Sequence, residues 1–254
     1  MVAMRLEHPY RPEAVAAGSA LRVYLLGAVE FEVALALQRA LAYEVAETRD
    51  HAALVLCEHP PLITVGRDGS RLHIGFEPPD LARREWPVRW VNRGGGCLLH
   101  LPGQLAVYPI LSLDRLRLDV QAYLDRLHRA LLDVFRKMDL PAERRPGRTG
   151  VWVHDRQLAH VGVAVRQWVT YFGAAVNVHA DLDPFRRVHV AGPGEPPMTS
   201  LARETRGAVR DATVRQRLVE AIAEQFGFTR TSLFHTHPAL IRPAAANAVA
   251  SASH

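Results

Sequence analysis

Three apolar runs near the middle of the chain constrain its fold most. Val151-Trp152-Val153, Leu158 to Val165 and Trp168 to Val178 follow one another with only short connections. Runs of this length, rich in β-branched and aromatic residues and separated by turn residues, read as strands of one antiparallel sheet. The apolar face of such a sheet has to be covered, and the chain carries segments able to cover it. Val120 to Met138 repeats Val120, Tyr123, Leu124, Leu127, Leu131, Val134, Phe135 and Met138 near the helical period, and Pro141 stops it. Val29 to Ala46 reads as a second helix with Val33, Leu37, Leu41 and Val45 on one stripe. Thr213 to Phe226 reads as a third, ended by Gly227 as a C′ residue.

Further strands are expected at Leu21 to Leu26, Ala52 to Cys57, Leu62 to Val65, Val88 to Val91, Cys97 to Leu101 and Leu105 to Leu111, with Asp68 to Asp80 a glycine- and proline-rich loop. Helices and strands do not alternate as in a doubly wound fold. The expected class is α+β: a mixed, largely antiparallel sheet packed with helices. The expected organisation is an extension over 1–18, one domain over 19–235, and an alanine- and serine-rich disordered tail over 236–254.

Composition narrows the function classes. At 254 residues, with 48% hydrophobic and 22% charged residues, a single domain can build its core without disulfides. The two cysteines, Cys57 and Cys97, read as free thiols in a reducing compartment. No run approaches a membrane span, and Met1 to Ala17 has no signal-type apolar stretch, so the expected location is cytoplasmic. The net charge of +5 comes almost wholly from arginine, since Lys137 is the only lysine. A basic balance steers acidic partners, although a solvated basic surface is the plainer reading. No zinc-ligand spacing, arginine-rich block or aromatic RNA-binding motif points to nucleic acid.

The specific signal is a series of motifs. Glu58-His59-Pro60-Pro61-Leu62-Ile63-Thr64-Val65-Gly66-Arg67 comes first, then Arg93-Gly94-Gly95 with His100-x-Pro102-Gly103-Gln104-Leu105. Gly150-Val151-Trp152-Val153, then Gly173 with Asn177, Asp181-Leu182 with Phe185, and Gly192 with Thr199-Ser200-Leu201 complete it. In order and spacing this set resembles the octanoyltransferases of lipoate biosynthesis. The resemblance implies a fold shared with lipoate and biotin ligases, built around a narrow acyl tunnel. It implies transfer of octanoyl from acyl carrier protein to a lysine on lipoyl domains of 2-oxoacid dehydrogenase or glycine cleavage proteins. No cofactor, metal, nucleic acid or membrane is implied. The site residues implied are Arg93, Gly94, Gly95, Gly96, Cys97, Leu98, Leu99 and His100, with His160, Val161, Gly162, Gly173, Ala174 and Ala175.

Two positions depart from that family where the chemistry lies. Its members form a thioester on a cysteine activated by a lysine. Here Gln157 stands at the lysine position and Ala191 at the cysteine position, and Phe172 replaces the usual histidine before Gly173. Alanine cannot carry a thioester and glutamine cannot activate a thiol. Arg156 is adjacent, but strand alternation points it the other way. Gly94-Gly95-Gly96-Cys97 is similar to the glycine segment of lipoate ligases. Those enzymes bind an acyl-adenylate with a lysine, and Lys137 on the long helix argues against that here.

Without Cβ atoms, Gly94 to Gly96 let a backbone approach an acyl chain, or simply make a tight turn. Arg93 suits a phosphate, a carboxylate or a structural ion pair. His100 suits a proton shuttle or a hydrogen-bond donor. His59-Pro60-Pro61 reads as architecture, Cys57 as a buried hydrophobe, and Trp152 and Trp168 as core or pocket wall. Alternation puts Cys97 and His100 on opposite faces, which disfavours Cys97 as a relocated nucleophile. Three functions remain open: acyl transfer by direct attack or through Cys97, binding of acyl chains, acyl carrier protein or lipoyl domains without turnover, and an unrelated activity such as amide hydrolysis on the same scaffold.

Overall fold

A computed structural model of the chain describes residues 20–48, 51–190, 194 and 196–241. Strand β1 (Ala20–Ala28) leads through helix α1 (Phe31–Glu47) to β2 (His51–Glu58) and β3 (Leu62–Val65). Next come α2 (Pro78–Arg83), β4 (Val88–Trp90), β5 (Cys97–His100) and β6 (Gln104–Ile110). Helices α3 (Leu113–Leu116) and α4 (Val120–Arg136) precede β7 (Ala142–Glu143), β8 (Val151–Val153), β9 (Arg156–Arg166) and β10 (Val169–Asn177). The chain closes with α5 (Leu201–Glu204), α6 (Asp211–Phe226), β11 (Arg230–Phe234) and α7 (Pro238–Ile241).

A large sheet has the order β11-β1-β2-β6-β10-β9-β8-β7, and a small one β4-β3-β5. The strands from β2 to β7 in the large sheet pair antiparallel, and the short connections β7–β8, β8–β9 and β9–β10 allow no other pairing. β1 is parallel to both β2 and β11. Helix α1 supplies the crossover that the β1–β2 pairing needs. The hairpin between β9 and β10 turns on Gln167 and Trp168, both at positive φ, 50° and 60°. Such a turn matches strand twist, and it carries Trp168 into solvent, 60% exposed, where the sequence pointed to core or pocket wall.

The large sheet is covered on both faces. Leu54, Leu56, Val107, Val161 and Val176 face Leu127, Leu131 and Phe135 of α4 and Leu218 and Ile222 of α6. Val55, Cys57, Tyr108 and Phe172 face Phe31, Leu37 and Leu41 of α1. Burial on both faces explains why Ala52 to Cys57 is uninterruptedly apolar. Two expected stripe positions lie outside these cores: Val33 and Val120 are exposed, and α1 buries Ala34, Leu35 and Gln38 instead. The small sheet has its own core, with Ile63, Val65, Cys97 and Leu99 against Phe76 and Phe185.

Two segments differ from their sequence reading. The loop expected over Asp68 to Asp80 contains a 3-10 turn, Arg71–His73, and the start of α2 with Pro78 in its first turn. Residues 236–241, assigned to the tail, include the helical turn α7, with Leu240 packed against the α1-side core. The expected extension over 1–18 and the tail beyond Ile241 lie outside the described residues.

Candidate active site

The motif residues converge where the two sheets meet. The connection Leu101-Pro102-Gly103 moves the chain from β5 in the small sheet to β6 in the large one. Gly103 makes that transfer at φ +81°, with its Cα so near β10's end that a Cβ would come within 2.9 Å of His179 and Ala180 backbone. β8 pairs with β9 only as far as Ala159. Beyond that point the loop before β5 takes over the β9 edge, with Gly94 N–H donating to Val163 O at 2.9 Å. A Cβ on Gly162 would sit 2.5 Å from Gly94 O, so this contact requires glycine on β9.

A narrow slot lies between the sheets on the α1 side. Phe31, Thr64, Arg93, Leu98, His100, Tyr108, His160 and Phe172 line it, together with Gly162, Gly173, Ala174 and Ala175. Its polar groups form two chains. His59 Nδ1 donates to Val29 O at 2.7 Å, which leaves Nε2 to accept from Tyr108 Oη at 2.8 Å. Arg93 donates to Thr64 O at 3.1 Å and Oγ1 at 2.8 Å, and His100 Nε2 lies 3.1 Å from the same Oγ1. Arg93 also donates to Gly94 O at 3.1 Å and approaches His160 Nε2 at 3.4 Å. Arg93 is buried with no carboxylate partner among the described residues, and burial lowers its pKa to about 10. Burial likewise drives His59 and His100 below the ordinary histidine range and His160 down to about 3, so all three imidazoles are neutral at neutral pH.

On the α4 side a cleft of about 700 Å³ opens to solvent. Its apolar wall is Val161, Val163 and Val165 of β9 with Val120 and Leu124 of α4. Gly94 and Gly95 line its inner end, and Gly162 lines both cleft and slot. The rim is basic: Arg67, Arg144, Arg145 and Arg148. Arg144 pairs with Asp125 at 2.7 Å and Arg145 with Asp155 at 2.8 Å, while Arg148 lies over the Trp152 ring at 5.6 Å. His128 in the cleft wall has a framework role: Nδ1 donates to Leu124 O at 2.7 Å and Nε2 accepts from Gly150 N–H at 3.3 Å.

The sequence-derived candidates fall into these places unevenly. Arg93, Leu98, His100, His160, Gly162, Gly173, Ala174 and Ala175 meet in the slot, and Gly94, Gly95 and Val161 in the cleft. Gly96 lines neither; its carbonyl accepts from Gly66 N–H at 3.0 Å. Cys97 and Leu99 turn into the small-sheet core. Cys97 Sγ donates to Ser70 O at 3.2 Å, burial raises its pKa, and it is not brought to His100. The Cys57 thiol is pushed up to about 12 by burial. Gln157 is buried, with Nε2 donating to Thr149 O at 2.9 Å behind the cleft rim. Arg156 points away, paired with Glu204 at 2.8 and 2.9 Å. Ala191 lies outside the described residues; its neighbour Val190 accepts from Cys97 N–H at 3.0 Å.

Sequence reasoning missed Phe31, Thr64, Tyr108 and Phe172 as slot walls, and Arg67 and the 144–149 turn as the cleft rim. Phe172 stood out only as a departure from a family pattern. It sits in β10 at φ +58°, its N–H donating to buried Gln38 Oε1 at 2.8 Å. Arg144, Arg145 and Arg148 make the segment before Gly150 basic, but nothing local in the sequence says which cavity it borders.

Residues 30–223 match the family described as lipoyl protein ligase A/B catalytic domain. The octanoyltransferase of Geobacter sulfurreducens is 42% identical over 195 residues, 77% of this chain and 80% of that protein. The octanoyltransferase of Nitratidesulfovibrio vulgaris (strain DP4) is 36% identical over 215 residues, covering 85% and 94%. A bi-partite lipoate protein ligase from Thermoplasma acidophilum, solved in a study with its E2 lipoyl domain, shares the fold at TM-score 0.63 and 18% identity, covering 85% of this chain and 87% of that one. The motifs, the two-sheet scaffold and these matches agree, and the chain belongs to the octanoyltransferase family of the lipoyl protein ligase A/B catalytic domains.

Proposed function

We propose that the protein transfers a medium-chain acyl group, octanoyl by its relatives, from acyl carrier protein to a lysine of a lipoyl domain in the cytoplasm. The observation that carries this reading is the cleft: an apolar wall on β9 and α4 running under a basic rim to Gly94 and Gly95. Its volume of about 700 Å³ suits a pantetheine-linked acyl chain. The arginine rim suits the phosphate of phosphopantetheine and an acidic carrier surface.

The transfer is direct. No cysteine thiol lines the slot or the cleft among the described residues, and Gln157 cannot activate one. The neutral amine of the acceptor lysine attacks the thioester carbonyl carbon. The C–S bond then breaks, and the pantetheine sulfur leaves with the proton shed by nitrogen, giving an amide and a thiol. Positioning and carbonyl polarisation carry this reaction. A second reading, acyl or carrier binding without turnover, is favoured by Gln157 and Ala191.

The test mixes the protein with octanoyl–acyl carrier protein and an apo lipoyl domain, followed by mass spectrometry. An octanoyl-sized gain on the lipoyl domain, unchanged by Cys97→Ala, is expected. Loss of transfer in Cys97→Ala would instead establish a thiol route. Bound acyl carrier protein or fatty acid with no transfer would establish the binding reading.

A further inference from the structure

The cleft is bordered by the edge of β9 as well as by its apolar face. Five consecutive residues, Val161-Gly162-Val163-Ala164-Val165, line it. Strand alternation turns the Ala164 side chain into the α1-side core, so what Ala164 shows the cleft is backbone. Hydrogen bonding fixes which backbone groups point outward. β9 and β10 are joined by two residues, Gln167 and Trp168, so Arg166 and Val169 form the hydrogen-bonded pair that closes the hairpin. The next pair, Val165 and Thr170, then turns its backbone groups away from the partner strand. On the β10 side, Thr170 N–H donates to Leu111 O at 3.0 Å and Phe172 N–H to Gln38 Oε1 at 2.8 Å. On the β9 side, Val163 O accepts from Gly94 N–H at 2.9 Å. Val163 and Val165 therefore present N–H and C=O on the outer edge. Among the described residues Gly94 is the only backbone partner they have there.

A strand edge with unspent N–H and C=O groups is a template for another extended chain that carries amides. Val165 is the accessible point, being partly exposed, whereas Gly94 closes over Val163. This inference rests on the acyl-transfer reading, which brings into the cleft a donor arm that is itself extended and peptide-like. Pantetheine carries an amide on either side of the two carbons of its β-alanine unit, and a two-carbon cysteamine link then leads to the sulfur.

We propose that the pantetheine arm of the donor lies along the β9 edge as an added strand. Its β-alanine carbonyl accepts from Val165 N–H, and its β-alanine N–H donates to Val165 O. The strand rise of about 3.3 Å per residue puts Val163 about 6.6 Å further along. The cysteamine link covers most of that length. The thioester thus arrives abreast of Val163, where Gly94 closes the edge and Gly94 and Gly95 form the inner end of the cleft. The acyl chain leaves the edge there for the apolar wall of Val161, Val163 and Leu124.

The test deletes one edge donor. Val165→Pro removes an N–H that the β9–β10 ladder does not use, which is where an edge strand tolerates proline. Val165→Ala keeps the N–H and controls for the lost side chain. The donors are S-octanoyl-pantetheine and the S-octanoyl thioester of β-mercaptoethanol, which has no amide. Relative to Val165→Ala, Val165→Pro is expected to raise KM for the pantetheine thioester about three- to tenfold more than KM for the amide-free one, the worth of one neutral hydrogen bond. Equal effects on both donors, or none on either, overturn the strand pairing while leaving acyl transfer standing. A rise confined to KM for the lipoyl domain puts the acceptor on this edge and also overturns it. The second readout needs neither turnover nor the variant. S-octyl-pantetheine, a thioether that cannot transfer, is bound to wild type and amide hydrogen exchange is followed by NMR. Slower exchange at Val165 supports the contact, and an unchanged Val165 with the ligand bound overturns it. If wild type binds the thioether but transfers nothing from the thioester, the exchange alone decides. If it binds no pantetheine ligand, both readings fall.

Discussion

At the residue scale the site is governed by burial of polar groups without opposite charge. The neutral histidines have a thermodynamic consequence. The pKa of His160 falls from 6.5 in the unfolded chain to about 3 in the fold, so the unfolded state binds more protons between those values. Stability is therefore full above pH 6.5 and is lost as pH falls towards 3. Acidification from 6.5 to 5 is expected to remove about 2 kcal/mol through this residue, and less in His160→Asn, as read by urea unfolding at each pH. Gly150 is a second constrained point, at φ +91° with a built Cβ only 2.1 Å from Ala159 O. Gly150→Ala should destabilise the protein by about 2–3 kcal/mol, measured by the same unfolding curves. Gln157 offers a test of the proposed direct route. Gln157→Lys with Ala191→Cys is expected to yield an octanoyl adduct on the protein itself, seen by intact mass, which wild type does not form. Absence of the adduct would mean that the surrounding site has also changed.

At the element scale, α4 both covers the large sheet and walls the cleft, so its start matters twice. Asp119 caps it by accepting from Ala122 N–H at 2.7 Å. Asp119→Ala should cost about 1 kcal/mol of stability and loosen the Val120–Leu124 wall, checked by thermal unfolding and by acyl-thioester affinity. α5 anchors the other side. Its Glu204 accepts from Nε and Nη2 of Arg156 and from the Thr199 hydroxyl, tying the segment after position 191 to the start of β9. This geometry explains why Arg156, next to Gln157, serves the framework: alternation along β9 sends the two side chains to opposite sides.

At the scale of the whole molecule, the arrangement is one large sheet with a cleft at the β9 edge and a slot under the small sheet. Under the proposed function, the arginine rim would make carrier binding an electrostatic event. Affinity for an acidic acyl carrier protein should fall by about tenfold between 50 and 300 mM salt, and Arg148→Ala should weaken both the binding and that dependence, read by titration calorimetry. The sequence alone determined the long elements, because periodicity and turn chemistry are local: the β8–β10 meander, the long helix and Gly227 as the end of α6 at φ +78° were all legible, whereas the short α2, α3, α5, α7, β7 and β11 were not. Motif order gave the family, since it needs only identity and spacing. Tertiary structure decided what those signals could not reach. It separated β5 from β6 into different sheets, turned Cys97 into a core, and exposed Val33 and Trp168. It also brought Arg93 to His160, 67 positions apart, so that a guanidinium with donors alone fixes which nitrogen of a buried imidazole bears the proton. That choice depends on distances across sheets, which no local pattern encodes.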